Sequence, residues 1–312
     1  MINQKDNYVL VIGASNIDLI GQSKDKIVLN ESNPAKISYC PGGVARNIAE
    51  NISNLGNNCQ LITAMGDDYF GKLIKKSCIK SGINIENSIL DDKESTSLYI
   101  SIHNNDSEMF LSLNETNITN KITPQFLESK KSIILNASII VLDTNLSQES
   151  LNYIFENYDK NIFVDTVSIF KAKKILNHLD KIHTLKPNKA EALYLADIKS
   201  AELNSIERAA DFFHHQGVKR SLISLGENGA FLSENNKSKF FSQMLNFSVN
   251  VTGAGDALMA GLVHSYLKEW DWEYSVKFSL GAAYLATCSL ETVNNNLNER
   301  NVLRVLEKTN DN

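Results

Sequence analysis

YVLVIGASNIDLIG, residues 8–21, changes character half-way along. VLVI, residues 9–12, is an unbroken apolar run that stops at Gly13-Ala14-Ser15-Asn16. A short apolar run bounded by turn residues is the pattern of a strand buried on both faces and entering a loop. Beyond the loop, Asp18 is set among Ile17, Leu19 and Ile20. An acid in such company needs a partner. An Asx turn supplies one. So would a ligand's hydroxyls, because the carboxyl end of a strand is where α/β sheets bind ligands.

Reading outward from this strand, Val44, Ile48, Ile52 and Leu55 fall at helical spacing over residues 43–55, with Gly56 as the stop. CQLITAMG reads as another buried strand, and FGKLIKKSCIKSG as a helix closed by Gly82. TSLYISIH and EMFLSLN alternate around Asn104-Asn105-Asp106, which predicts an antiparallel hairpin. SIIVLD, NIFVDT, HTLKPN and RSLISLG are short β-rich runs with helical patterns between them, and three helices are expected near 256–268, 272–287 and 298–308. This alternation predicts an α/β fold, doubly wound around a mainly parallel sheet. The segments about 15–40 and 95–115 fit no βαβ unit and are read as a small antiparallel β-lid on one domain spanning 1–312.

Composition sets bounds on the function. The chain has 312 residues, 43% of them hydrophobic, and a formal charge of −5. Without a basic stripe interleaved with aromatics, a nucleic-acid polymer is excluded as partner. No apolar run is long enough for a membrane span. The polar leader MINQKD runs straight into the first strand, and Cys40, Cys59, Cys78 and Cys288 are scattered without a CxxC pair. Both features point to a cytoplasmic protein with free thiols. His214 and His215 are adjacent on a helix and face different ways, so they make no joint metal site.

Several motifs carry chemistry. Gly66-Asp67-Asp68-Tyr69-Phe70-Gly71-Lys72-Leu73 approaches a P-loop but lacks its Ser or Thr and puts two carboxylates where phosphates would sit. It reads as a strand-to-helix turn. Gly42 and Gly43 precede a helix and permit close approach of a ligand to backbone, with Asn47 one turn in. In Lys186-Pro187-Asn188-Lys189-Ala190-Glu191, Asn188 and Glu191 have the spacing of a capping box. The same side chains suit a hydrated magnesium ion and a phosphate. Ser224, Gly226 and Gly229 end another strand in a form suited to a nucleotide. Thr252-Gly253-Ala254-Gly255-Asp256 opens an apolar helix. Asp256 there is a helix-start acid, a base beside an anion held on bare N–H groups, or both.

In this order, GGVARN at 42–47, KPNKAE at 186–191, SLGENGA at 224–230 and TGAGDA at 252–257 resemble the PfkB or ribokinase family of sugar and nucleoside kinases over nearly the whole chain. The resemblance implies a kinase using ATP and Mg2+. It assigns Asp256 as the base and the N–H groups of Gly253, Ala254 and Gly255 as the anion hole. Asn188 and Glu191 would organise magnesium, the former through water, and Asn188, Ser224, Gly226, Gly229 and Thr252 would lie along ATP. Asn16, Asp18, Gly42, Gly43 and Asn47 would hold the acceptor. Ser32, Asn33 and Asn114, with the lid strands, resemble the branch that phosphorylates pseudouridine at its 5′-hydroxyl, and a homodimer through the lid is implied. Ribose or adenosine as acceptor, and a non-catalytic nucleotide-binding protein, stand as alternatives. The chain departs from the family pattern in two places. Asn250 stands where ribokinases carry the Asp of their monovalent-cation loop, so little potassium activation is expected. Ala35 follows Ser32-Asn33-Pro34 where Gly is expected.

Overall fold

The structure, a computed structural model, describes residues 8–106, 108–234, 237–243 and 249–310. In chain order its elements are β1 (Val9–Ile12), β2 (Asn16–Ser23), β3 (Ala35–Gly42), α1 (Val44–Asn54), β4 (Cys59–Ile62), β5 (Ala64–Gly66), α2 (Tyr69–Lys80), β6 (Ile89–Asp91), β7 (Leu98–His103) and β8 (Met109–Glu115). Then follow α3 (Pro124–Ser129), α4 (Lys131–Asn136), β9 (Ile139–Asp143), α5 (Gln148–Asn157), β10 (Ile162–Asp165), α6 (Ile169–Ala172), β11 (Ile182–Lys186), α7 (Lys189–Leu195), α8 (Ser205–His215) and β12 (Arg220–Ser224). The chain closes with β13 (Ala230–Glu234), β14 (Lys237–Phe241), α9 (Ala254–Leu267), α10 (Trp272–Thr287) and α11 (Glu299–Asn310).

Eight strands form the main sheet in the order β14-β13-β12-β11-β10-β9-β1-β4. All pairs from β4 to β12 are parallel, and the β13–β14 hairpin, which the sequence reading did not single out, extends the edge antiparallel. Alternate residues of β1 feed two cores. Val9 and Val11 pack with α1, α9 and α10, and Leu10 and Ile12 pack with α5 and α8. All four are fully buried, so truncating Leu10 or Ile12 to Ala costs about 2–5 kcal/mol. The sheet's order reverses direction at β1, between β4 and β9. The crevice beyond the carboxyl ends of β1 and β9 is therefore the expected ligand site.

The lid is a second sheet, β3-β2-β7-β8. It is not wholly antiparallel as expected: β2 and β7 pair in parallel, and only the outer pairs are hairpins. Between β2 and β7 the chain runs through β3, α1, β4, β5, α2 and β6, a connection long enough for a parallel crossover. CQLITAMG is two strands rather than one, broken at Thr63, because β4 pairs in the main sheet and β5 pairs with β6. The P-loop-like stretch is a helix start. Asp68 caps α2, accepting from Gly71 N at 2.7 Å.

Candidate active site

Three neighbouring strands end on charged residues, Asp143 on β9, Asp165 on β10 and Lys186 on β11. The register sets them in one row, Asp143 opposite Asp165 and Asp165 opposite Lys186. Each closes a run of buried residues, and each is itself buried. Asp143 Oδ2 accepts from the N–H groups of Ala14 and Ala45 at 3.0 and 2.9 Å, tying the loop after β1 to the first turn of α1. Asp165 Oδ2 and Lys186 Nζ form an ion pair at 3.0 Å. Val167, two residues on, has φ of 58°, a costly conformation for a β-branched residue and one that concentrates at functional sites. Its N–H donates to Asp165 Oδ1 at 2.9 Å.

Helix α9 brings the fourth charge. Gly253 caps it with φ of 84°, and a Cβ there would run into the Thr292 carbonyl, so only glycine fits. The Ala254 N–H is engaged with Val251 O at 3.3 Å. Of the expected trio, the N–H groups of Gly253 and Gly255 meet no backbone acceptor among the described residues, and that of Asp256 joins them. They lie at the positive end of the helix dipole, a ready place for an anion. A Cβ on Gly255 would lie 3.1 Å from Lys186 Nζ, so the ammonium adds its charge at the same spot.

Asp256 is 8% exposed, in the first turn of α9. Its Oδ2 accepts from Asn47 Nδ2 at 2.9 Å. Burial pushes its carboxyl up to about 8, the charge of Asp165 adds to the rise, and the Asn47 hydrogen bond and Lys186 oppose it. A carboxylate that titrates near neutrality inside a crevice is suited to accept a proton.

The opposite wall of the crevice is built from the lid and α1. Asn16 Nδ2 donates to Asp18 Oδ1 at 2.6 Å. The Asp18 carboxylate lies over Gly42 so closely that a Cβ there would collide with it. Gly43, at φ of 97°, is pressed against the Ala14 carbonyl and Ser15. Register places Cys40, Asp18, Tyr99 and Asn114 side by side across the lid, on one face. Ser32 and Asn33 do not join this group. The Asn33 side chain braces its own loop through Val28 N, Val28 O and Glu31 O. It lines a cavity of about 520 Å³ with Leu19, Gly21, Ile37, Ile100 and Ile102, the residues of the lid's opposite face.

On the other side of α9 lies a cavity of about 720 Å³. It gathers Asn188, Ser224, Gly226 and Gly229 with Ala254 and Gly255. Leu258, Leu280, Ala283 and Tyr284 form an apolar wall. Thr252 is not among the lining residues and receives Asn250 Oδ1 on its N–H at 3.0 Å. Asn188 and Glu191 complete the capping box. Glu191 Oε2 accepts from Asn188 N at 2.8 Å and Thr166 Oγ1 at 2.5 Å, and Oε1 accepts from Asn188 Nδ2 at 2.8 Å. Among the described residues no group of three His, Cys, Asp or Glu could hold a metal ion. The donors fit an ion that arrives on a nucleotide's phosphates and keeps its waters, not one caged by protein.

Residues 6–299 match the model of the pfkB family of carbohydrate kinases. The chain belongs to that family. It is 37% identical over 308 residues to the pseudouridine kinase of Escherichia coli, covering 98% of each chain. It is 32% identical over 307 residues to an uncharacterized sugar kinase, YeiI, of the same organism, covering 97% of this chain and 84% of the other. The Arabidopsis thaliana ribokinase solved with ribose and ATP superposes with a TM-score of 0.85 at 21% identity, covering 96% of this chain and 98% of that one, which supports the ribokinase-like fold. This PfkB chain is thus a sugar or nucleoside kinase, a phosphotransferase with an alcohol acceptor that takes its phosphoryl group from ATP. Sequence reading gave no role to Asp143, Asp165 or Lys186, although a charged residue closing each of three successive apolar strands was a usable signal. It also missed Arg46, the neighbour of Asn47.

Proposed function

We infer that this kinase transfers the γ-phosphoryl group of ATP to the 5′-hydroxyl of pseudouridine, giving pseudouridine 5′-phosphate and ADP. The observation that carries the substrate is the 37% identity to the Escherichia coli pseudouridine kinase across 98% of both chains. In this reading the 720 Å³ cavity receives ATP, its adenine against Leu258, Leu280, Ala283 and Tyr284. Ser224, Gly226, Gly229 and Asn188 lie along the ribose and phosphates. Thr252 acts by shaping the turn that opens α9. Asn16, Asp18, Gly42, Gly43 and Asn47 hold the acceptor ribose, with Asn114 on the same lid face.

Asp256 takes the proton of the acceptor hydroxyl. The oxygen then attacks the γ-phosphorus in line, the bond to the ADP oxygen breaks, and the proton on Asp256 leaves to solvent afterwards. Phosphoryl transfer asks the protein for positioning and charge stabilisation rather than covalent chemistry. The N–H groups at the head of α9 and the Lys186 ammonium supply both. Mg2+ bound with the nucleotide would neutralise phosphate charge, and Asn188 and Glu191 would meet it through water.

Pseudouridine presents one more ring N–H than uridine. A site that bonds this N–H leaves a buried polar group unpaired when uridine binds, which can discriminate by up to roughly 10⁴–10⁵. The similarity to YeiI favours a second reading, a sugar as acceptor.

The proposal extends to the whole molecule: one kinase unit over residues 1–312, with the lid at about 15–40 and 95–115, acting in the cytoplasm. The described residues include no helix long and apolar enough to cross a membrane. A homodimer through the lid would cover Ile37, Tyr39, Leu111 and Leu113, which are exposed on the face away from Asp18. Incubation with MgATP and pseudouridine, followed by ³¹P and ¹H NMR of the product, tests the reading. A phosphorus coupled to the 5′ protons is expected, and a product phosphorylated elsewhere overturns it.

A further inference from the structure

Arg46 places a cation where the fold gives least reason for one. It lies in the first turn of α1, at the positive end of the helix dipole, and it is 3% exposed. Its guanidinium joins three elements. Nη1 donates to Pro41 O at the end of lid strand β3 and to Asn47 Oδ1, both at 3.0 Å. Nη2 donates to Ser77 Oγ on α2 at 2.8 Å and pairs with Glu50 one turn along α1. The Cys78 thiol of α2 also lies beside the guanidinium.

The bond to Asn47 has a chemical consequence. A side-chain amide can present either end. With Oδ1 held by the guanidinium, only Nδ2 can face Asp256, and it does so at 2.9 Å. The flipped amide would set an oxygen lone pair against the Asp256 carboxylate, which favours the protonated acid and removes the base. We propose that Arg46 is a positioning residue for phosphoryl transfer, acting through Asn47 to aim an N–H donor at the base. This rests on the reading of Asp256 as that base. The other charged and titratable groups around the pair are Glu50 on α1, Cys78 on α2 and Asp18 and Cys40 on the lid near Arg46, and Asp143, Asp165 and Lys186 near Asp256.

The test is a double-mutant cycle on the full chain, with MgATP and pseudouridine, or ribose or adenosine if either is the better acceptor. Arg46→Met, Asn47→Ala and the double variant are compared by kcat, by KM for each substrate, by the pH profile of kcat/KM and by thermal unfolding. Arg46→Met is expected to lower kcat by about 10- to 100-fold, the scale of a misplaced catalytic contact, with KM for MgATP little changed. Its pH profile should move to higher pH, and Arg46→Lys should recover part of the loss. In the Asn47→Ala background the same substitution should change kcat no further, because the amide through which it acts is gone. Independent, multiplying losses overturn the proposal, as does a wild-type kcat in Arg46→Met. If Arg46→Met does not fold, the cycle is run with Arg46→Lys and the same criterion. The underlying readings fail separately. Turnover retained in Asp256→Asn would reject the base, and no turnover of pseudouridine by the unchanged protein would reject the substrate.

Discussion

The Asn47 amide donates to Asp256 Oδ2 at 2.9 Å across 209 residues of sequence. This contact joins the first helix of the fold to α9, whose Ala254 and Gly255 line the 720 Å³ cavity. In the proposed reaction it sets the acceptor side of the crevice against the phosphate side, with Asp256 between them.

Asp256→Asn is expected to fold and to lose about 10²–10⁴ in kcat, the usual cost of removing a general base. Wild-type kcat/KM should climb with pH toward a plateau above about 8, since the free enzyme needs the ionised carboxyl. Stability carries the opposite sign. The folded state holds this proton up to about pH 8, whereas the unfolded carboxyl releases it near ~4. Wild type therefore loses stability from this group as pH rises through that window, and the Asn variant does not. Thermal melts at pH 5, 6, 7 and 8 should show the variant's advantage growing. A constant difference would show that the carboxyl is not perturbed.

Lys186→Met should cost about 3–5 kcal/mol of stability, because it strands the buried Asp165 carboxylate. Lys186→Met combined with Asp165→Asn should regain much of that stability without regaining turnover. Denaturant unfolding alongside kinetics separates the two effects. Recovery of both together would make the lysine a purely structural partner.

Glu191→Gln should raise the magnesium concentration needed for half-maximal rate. The carboxylate is 5% exposed and already engaged by Asn188 and Thr166, so its influence would pass through bound water. A magnesium titration that overlays wild type would leave Glu191 as the partner in a helix cap and nothing more.

Potassium should activate little. Asn250 Nδ2 donates to Leu290 O at 3.2 Å and its Oδ1 accepts from Thr252 N at 3.0 Å, so a neutral amide joins the two loops. Rates in potassium and in a bulky organic cation, at fixed ionic strength, should agree within a factor of two or so. A large rise in potassium would contradict the assignment.

Much of this was legible in the chain. VLVI ending at Gly13 gave a buried strand because both faces of β1 are covered, and the pattern has no polar alternation to misread. GGVARN and TGAGDA each announced a helix start in which glycine fits a close backbone approach, and the structure brings Asn47 and Asp256 together. Other features depend on which strands become neighbours. Asp143, Asp165 and Lys186 are spread over 44 residues of sequence and form a row only through the parallel register of β9, β10 and β11. Arg46 and Glu50 have the spacing of an ordinary surface ion pair, and the tertiary packing that buries them, with Ser77 reaching one and Ser81 the other, is not written in that spacing. Ser32 and Asn33 were placed by motif likeness. Their loop folds over the lid's far face, which no local pattern encodes.

Measuring kcat/KM for pseudouridine, uridine, adenosine and ribose, with MgATP under one set of conditions, tests the central claim most directly. Pseudouridine should lead, with uridine lower by no more than roughly 10⁴–10⁵, the scale for a missing hydrogen-bonded group in a site built to bond it. A higher value for ribose or adenosine would contradict the proposed substrate and leave the PfkB kinase with a different acceptor.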